Sequence, residues 1–220
     1  MNETAGQDGR LRRAASADPG EIRADLRLIA DLVAPGTRAL DVGCGDGSLL
    51  QFLTDFKEID GRGLEIRQER VNASVSRGLS VIQGNAETDL RNYPSQAFDY
   101  VILSQTLQAI HDPRGVLEEL LRIGKHAIVS FTNFGYWRFR LHLACSGRMP
   151  VTDSKDHEWF DTPNIHLCTI RDFVTLCDAL GITVERCFSV RRGGQTRQVR
   201  PSSALANLIG EQAVFLLGRE

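Results

Sequence analysis

Two rhythms of apolar residues alternate along the chain. Ile22, Leu26, Ile29 and Val33 recur at helical spacing until Pro35-Gly36 interrupts them. Just ahead, Asp18, Pro19 and Glu21 have the order of a helix start: a side-chain cap, a first-turn proline and an acid three residues after the cap. "RALDV" then reads as a buried strand running into a glycine turn, and "SLLQFLTDF" carries the stripe of a helix. The pattern repeats. "GRGLEI" predicts strand two, "RQERVNASVSRGL" a helix, "SVIQ" strand three and "FDYVILS" strand four. Asp112-Pro113 opens the next helix as cap and first-turn residue, "VLEELLRI" supplies its apolar face, Gly124 closes it, and "HAIVSF" is strand five. Strands alternating with helices at this spacing predict an α/β fold: a Rossmann-like, doubly wound, mostly parallel sheet covered on both faces.

From Thr132 to Cys168 the alternation lapses, for longer than the connections of a compact domain ordinarily run, which marks an insertion at about 132–168. Thr169 and Asp172 then cap a helix, "IRDFVTLCDAL", that stops at Gly181. "ITVERCFSV" and "EQAVFLL" bring the sheet to seven strands. Only an arginine- and glycine-rich loop and a short helix near "SALANLI" separate those two, so the last strand is placed to return antiparallel at the sheet edge.

The length of 220 residues fits a single domain over 21–220, preceded by a polar tail. Arg10, Arg12 and Arg13 lead into no apolar stretch, so residues 1–20 read as disordered rather than as a secretion signal. Hydrophobic residues make up 42% of the chain, yet no run approaches the roughly 18 needed to span a membrane. A net charge of -2 supplies no pull toward nucleic acid or anionic lipid, although four of the ten residues from Arg191 to Arg200 are arginine. A cytoplasmic protein follows, with neither nucleic acid nor membrane as partner. The five cysteines are odd in number and form no C-x-x-C pair, against a disulfide framework or a zinc knuckle. His142, His157 and His166 match no common ligand spacing, so no metal is expected.

The chemistry concentrates at "LDVGCGDGSLL", where Gly43, Gly45 and Gly47 stand at every second position. A bare turn between a strand and a helix lets backbone N–H groups approach a ligand closely. The dinucleotide fingerprint G-x-G-x-x-G is missed, because its last position holds Ser48. Asp41 and Asp46 would repel a pyrophosphate but suit a ligand with an ammonium and a sulfonium, and S-adenosylmethionine is such a ligand. Glu65, at the end of strand two, is placed for ribose hydroxyls, and Asn85 in "QGNAET" for an adenine edge, with Ala86 beside it. Ser104, at the end of strand four, completes the candidate cofactor set. There the chain reads "LSQTLQAI"; Ser104, Gln105, Thr106 and Gln108 are polar but carry no specialised catalytic pattern.

In this order "LDVGCGDG", "GLEI" and "QGNAET" resemble the first three cofactor motifs of the class I S-adenosylmethionine-dependent methyltransferase fold. That resemblance implies that Asp41, Gly43 and Gly45 line the methionine part, Glu65 the ribose and Asn85 the adenine, where the fold more often has aspartate. The insertion is more distinctive. Between Phe131 and Phe160 lie seven of the chain's fifteen aromatic residues and both tryptophans, mixed with Arg138, Arg140 and Arg148. This is the composition of anchors at protein interfaces, and equally of a lid over the chain's own pocket. Phe134, Tyr136, Trp137, Arg138, Trp159 and Phe160 are the candidates for either role.

From Glu21 to Leu217 the chain resembles the MetW family of methionine biosynthesis proteins, most specifically in "NFGYWR" and "DTPNIHLCTIRDF". Asn85 and Thr132 depart from the family pattern, as does the tail before Asp18. The resemblance implies a bacterial protein that partners and activates homoserine O-acyltransferase, MetX; the alternative is an S-adenosylmethionine-dependent methyltransferase acting on a small molecule, with the insertion as its lid.

Overall fold

The structure, a computed structural model, describes residues 22–150, 159–191 and 193–219. Asp18, the tail before it and His157 lie outside the described residues, but the helix expected to open at Asp18 begins only at Ala24, after the extended, non-helical Arg23. Helix α1 spans Ala24–Leu32 and is followed by β1 (Arg38–Val42), α2 (Ser48–Lys57), β2 (Asp60–Glu65), α3 (Gln68–Ser76) and β3 (Ser80–Gln83). Next come the single turn α4 (Ala86–Asp89), β4 (Phe98–Ser104), α5 (Pro113–Ile123) and β5 (Gly124–Thr132). The inserted segment contributes α6 (Trp137–Ser146), and α7 (Ile170–Ala179), β6 (Thr183–Val190), β7 (Thr196–Gln198), α8 (Ala204–Ile209) and β8 (Gln212–Gly218) complete the order.

Side-chain caps set four of these starts, at Asn85, Asp112, Thr169 and Ser203, and two of them were legible in the sequence. Asp112 accepts the Gly115 N–H at 3.0 Å with Pro113 as first helical residue of α5, and Thr169 and Asp172 form a reciprocal capping box on α7.

The sheet has eight strands in the order β3-β2-β1-β4-β5-β8-β6-β7, one more than the apolar rhythm predicts. The extra strand, β7, is three exposed residues with no apolar signature. It pairs antiparallel with β6 because the chain reverses at Gly193 and Gly194, whose φ angles of +88° and +81° are open to glycine. β7 is therefore the antiparallel edge. β8, expected at that edge, runs antiparallel between β5 and β6 instead. Its residues from Ala213 to Gly218 are all buried, and a strand so apolar needs a neighbour on each side.

Alternate residues of the central strands feed two cores. Leu40, Val42, Val101, Leu103, Val129 and Phe131 pack with α5 and α7, whereas Ala39, Ile102 and Ile128 pack with α1 and α2. Phe173 and Phe215 close on Phe131 at centroid distances of 5.0 and 5.8 Å. From β1 the sheet is built outward to β3 on one side and resumes at β4 on the other, so the order reverses between β1 and β4. In open α/β sheets a ligand crevice lies outside the carboxyl ends of the strands at that point. No described helix is long and apolar enough to cross a membrane.

Candidate functional site

The three glycines of the turn do different work. Gly43, with φ +73°, donates its N–H to the Leu64 carbonyl at 2.7 Å, and a Cβ there would sit 2.6 Å from Thr106 Oγ1. A side chain is thus excluded by the loop that follows β4. Gly47 is the left-handed residue that opens α2, and a Cβ on it would meet Leu79 Cδ1 at 2.6 Å and Ser74 Oγ at 2.8 Å. Of the three, only Gly45 is uncrowded: a Cβ there would make ordinary contact with Arg70 Nη1 at 3.5 Å.

Three carboxylates gather around the turn. Glu65 is buried; its Oε2 accepts the Gly45 N–H and its Oε1 the Arg67 N–H, both at 2.9 Å. Asp46 accepts from the Ser48 N–H at 3.2 Å and the Ser48 hydroxyl at 2.8 Å. Burial raises its carboxyl, but the bonds from Ser48 and the nearby Arg77 outweigh that and hold it below its ordinary value. Asp41 is the outlier. It is 2% exposed, and its Oδ1 has no hydrogen-bond partner among the described residues. Burial, then the negative charges of Glu65 and Asp46, push its carboxyl up to about 7. Cys44, between them, is pushed to about 12, by burial first and then by Asp41 and Glu65, so it stays a thiol.

The sign of the Asp41 shift fixes a stability prediction. The unfolded carboxyl titrates near about 3.9, and the folded one near 7. The native state therefore holds the extra proton between those values, and this stabilisation is complete below the unfolded value and lost as pH rises through the folded one. Wild type should lose stability relative to Asp41→Asn between about pH 4 and about pH 7 in urea titrations; parallel curves would contradict the burial of this charge.

The neighbouring strand ends carry the other candidates. Asn85 caps α4, its Oδ1 accepting the Glu87 N–H at 2.9 Å, while its own N–H is held by Asp89 at 2.8 Å. Ala86 is partly buried beside it. Ser104 Oγ lies 3.2 Å from Ser130 Oγ. Hydrogen bonds join Gly45 and Glu65 directly, whereas Asn85, Ala86 and Ser104 stand on separate strand ends of the same sheet rim.

Sequence reasoning passed over two arginines that tie this rim together, and it gave Gln105 and Gln108 no specific role. Arg70 approaches Gly45, and Arg77 donates to the Asp46 carbonyl at 3.0 Å; the signal was the arginine spacing in "RQERVNASVSRGL". Gln105 holds a φ of +52°, rare for a residue with a side chain, and its Nε2 is buried without a partner among the described residues. Gln108, 3% exposed, clamps both ends of the insertion: its Nε2 donates to the Thr132 carbonyl at 3.1 Å, and its own carbonyl accepts from Ile165 and His166.

The aromatic candidates separate by burial. Phe134 and Tyr136 pack inward on Phe139, with centroids 5.6 and 5.5 Å away. Trp137, Trp159 and Phe160 are 44%, 74% and 71% exposed, and Arg138 is exposed with its guanidinium 5.9 Å from the Trp137 ring. None of the ten residues of α6 is buried. An open, shallow depression of about 450 Å³ runs along this helix, lined by its own Trp137 and Leu141, and a hollow of about 440 Å³ lies at β3 beside Tyr93. Among the described residues no three metal-ligating side chains gather.

The model of the family described as methionine biosynthesis protein MetW matches residues 23–217. The chain belongs to the MetW family. That span takes in the glycine turn, the insertion and nearly all of β8. Among MetW relatives, the bifunctional methionine biosynthesis protein MetXA/MetW of Rhodopirellula baltica is 33% identical over 210 residues, covering 90% of this chain and 33% of that protein. The chain thus spans about a third of the length of this relative. Demethylmenaquinone methyltransferase of Shouchella clausii is 32% identical over 151 residues, 58% of this chain and 62% of that one. A solved S-adenosylmethionine-dependent methyltransferase of Thermotoga maritima superposes with a TM-score of 0.66 at 17% identity, covering 90% of this chain and 88% of the other. That likeness establishes the class I methyltransferase fold for this MetW-family chain.

Proposed function

We propose that this MetW-family chain is an accessory subunit that docks on homoserine O-acyltransferase, MetX, in the cytoplasm and raises its rate of homoserine acylation, and that its glycine turn binds S-adenosylmethionine. The observation that carries the docking is α6, a ten-residue helix with no buried residue that nevertheless displays Trp137 and Leu141 one turn apart. Large apolar side chains left exposed side by side mark an interaction site. The relative whose name joins MetXA to MetW supports the choice of partner.

The residues around the turn fit the cofactor. A buried carboxylate oxygen without a partner is unfavourable, and the Oδ1 of Asp41 is placed for an ammonium to satisfy. Arg70, beside the open side of Gly45, is suited to the carboxylate of the same amino acid. Each Glu65 oxygen uses one lone pair on a backbone N–H, which leaves capacity for ribose hydroxyls. Gly43 and Gly47 hold the turn's shape, with Asn85, Ala86 and Ser104 toward the nucleoside. Bound there, S-adenosylmethionine would supply a methyl group already activated on sulfonium.

The likeness to demethylmenaquinone methyltransferase favours a second reading, methyl transfer to a small molecule with the insertion as lid. One comparison separates the two. Purified homoserine O-acyltransferase assayed with and without this chain should acylate homoserine faster in its presence and co-elute with it; an unchanged rate with separate elution would remove the accessory role. A methylated product from labelled S-adenosylmethionine would establish the second reading.

A further inference from the structure

The charge around α6 specifies what it docks against. From Asn133 to Pro150 the chain contains no aspartate or glutamate, yet it carries Arg138, Arg140 and Arg148, in a protein of net charge -2. Trp137 and Leu141, one helical turn apart, stand exposed on the open surface of the helix, with Arg138 against the Trp137 ring. This helix is anchored at its base. Arg140 Nε donates to the Gly135 carbonyl at 2.6 Å, and Gly135 N–H donates to the buried Asn133 side chain at 2.9 Å. A helix held in place before it binds loses little conformational freedom on docking.

We infer that α6 seats as a helix in an apolar groove on a different protein whose rim is lined with aspartate and glutamate. This rests on the accessory-subunit reading and gives its partner a surface chemistry. The apolar residues fill the groove and the arginines meet the carboxylate rim, which steers encounter and fixes register. A second copy of this chain is the wrong occupant. A two-fold contact through α6 would set the arginines of one copy, Arg138 and the following Arg148, against those of the other with no acid on either helix to offset them.

The test is the affinity of the full chain for purified homoserine O-acyltransferase over a range of salt. Trp137→Ala with Leu141→Ala should weaken the complex by at least about 100-fold. Arg138→Glu with Arg148→Glu should weaken it by about tenfold or more, mostly through slower association, and flatten its salt dependence. The altered side chains are exposed, so melting midpoints should match wild type; Leu141→Ala alone serves as a milder apolar variant. If the wild-type complex forms and these variants bind as it does, the inference is overturned while the accessory role stands. If only the apolar variants weaken binding and salt has no effect, the acidic rim is overturned. Failure of wild type to bind at any salt overturns both readings, and dimerisation of the free chain through α6 overturns the inference.

Discussion

An Asn133→Ala variant is expected to melt about 10 °C below wild type, a loss of about 3–5 kcal/mol. Asn133 is fully buried, and every hydrogen-bonding site of its amide is in use in a way no other side chain reproduces. Its Nδ2 donates to the Asn207 and Gly210 carbonyls at 2.8 and 2.7 Å, while its Oδ1 accepts the N–H groups of Gly135 and Ile170 at 2.9 and 3.2 Å. Alanine would strand four backbone groups at once. Aspartate would keep the two acceptor bonds but turn a second oxygen toward two carbonyls, so Asn133→Asp should be no better. The same knot ties the base of α6 to the start of α7 and the end of α8, so the variant should also lose its hold on the acyltransferase. Calorimetry gives the midpoint, and an unchanged value would show that the knot bears no weight.

This asparagine stands in "NFGYWR", one of the two stretches most specific to the family in sequence, yet nothing in its spacing foretells its role. Glycine at 135 is equally cryptic until the structure shows that a Cβ there would lie 2.8 Å from Asn207 Oδ1 and 2.9 Å from the Asn207 carbonyl. These partners are more than seventy residues away in the chain. Periodicity reports which face of an element is buried, and for that reason the alternating strands and helices through β5 and the caps at Asp112 and Thr169 were legible. It is silent about β7, whose residues are all polar, and about the placing of β8, since an apolar strand reads alike at an edge and in the interior. Charge at the glycine turn was half legible. Asp41, Asp46 and Glu65 stood out, whereas Arg70 and Arg77 reach the turn only because α3 folds back across it.

A Glu65→Ala variant should bind S-adenosylmethionine at least about 100-fold more weakly than wild type, because two charge-assisted hydrogen bonds at about 1.5–3 kcal/mol each are at stake. Two effects reinforce each other. In the proposed binding mode the carboxylate accepts from ribose hydroxyls, and it also fixes the turn, holding the Gly45 N–H on one oxygen and the Arg67 N–H on the other. Glu65→Gln separates them. The amide keeps one acceptor oxygen and sets an N–H donor against the other backbone N–H, so its affinity should fall between wild type and Glu65→Ala. The pH profile supplies an independent readout. After burial, Glu65 is the largest cause of the raised Asp41 carboxyl, so removing its charge should shift the titration of Asp41 to lower pH. A cation that binds against Asp41 favours its ionised form, so wild-type affinity should climb as pH rises toward 7 and level off above it. In Glu65→Ala that climb should begin at lower pH, even though the affinity at its plateau is weaker. Titration calorimetry at several pH values measures both quantities, and full affinity in Glu65→Ala would place the nucleoside away from this turn.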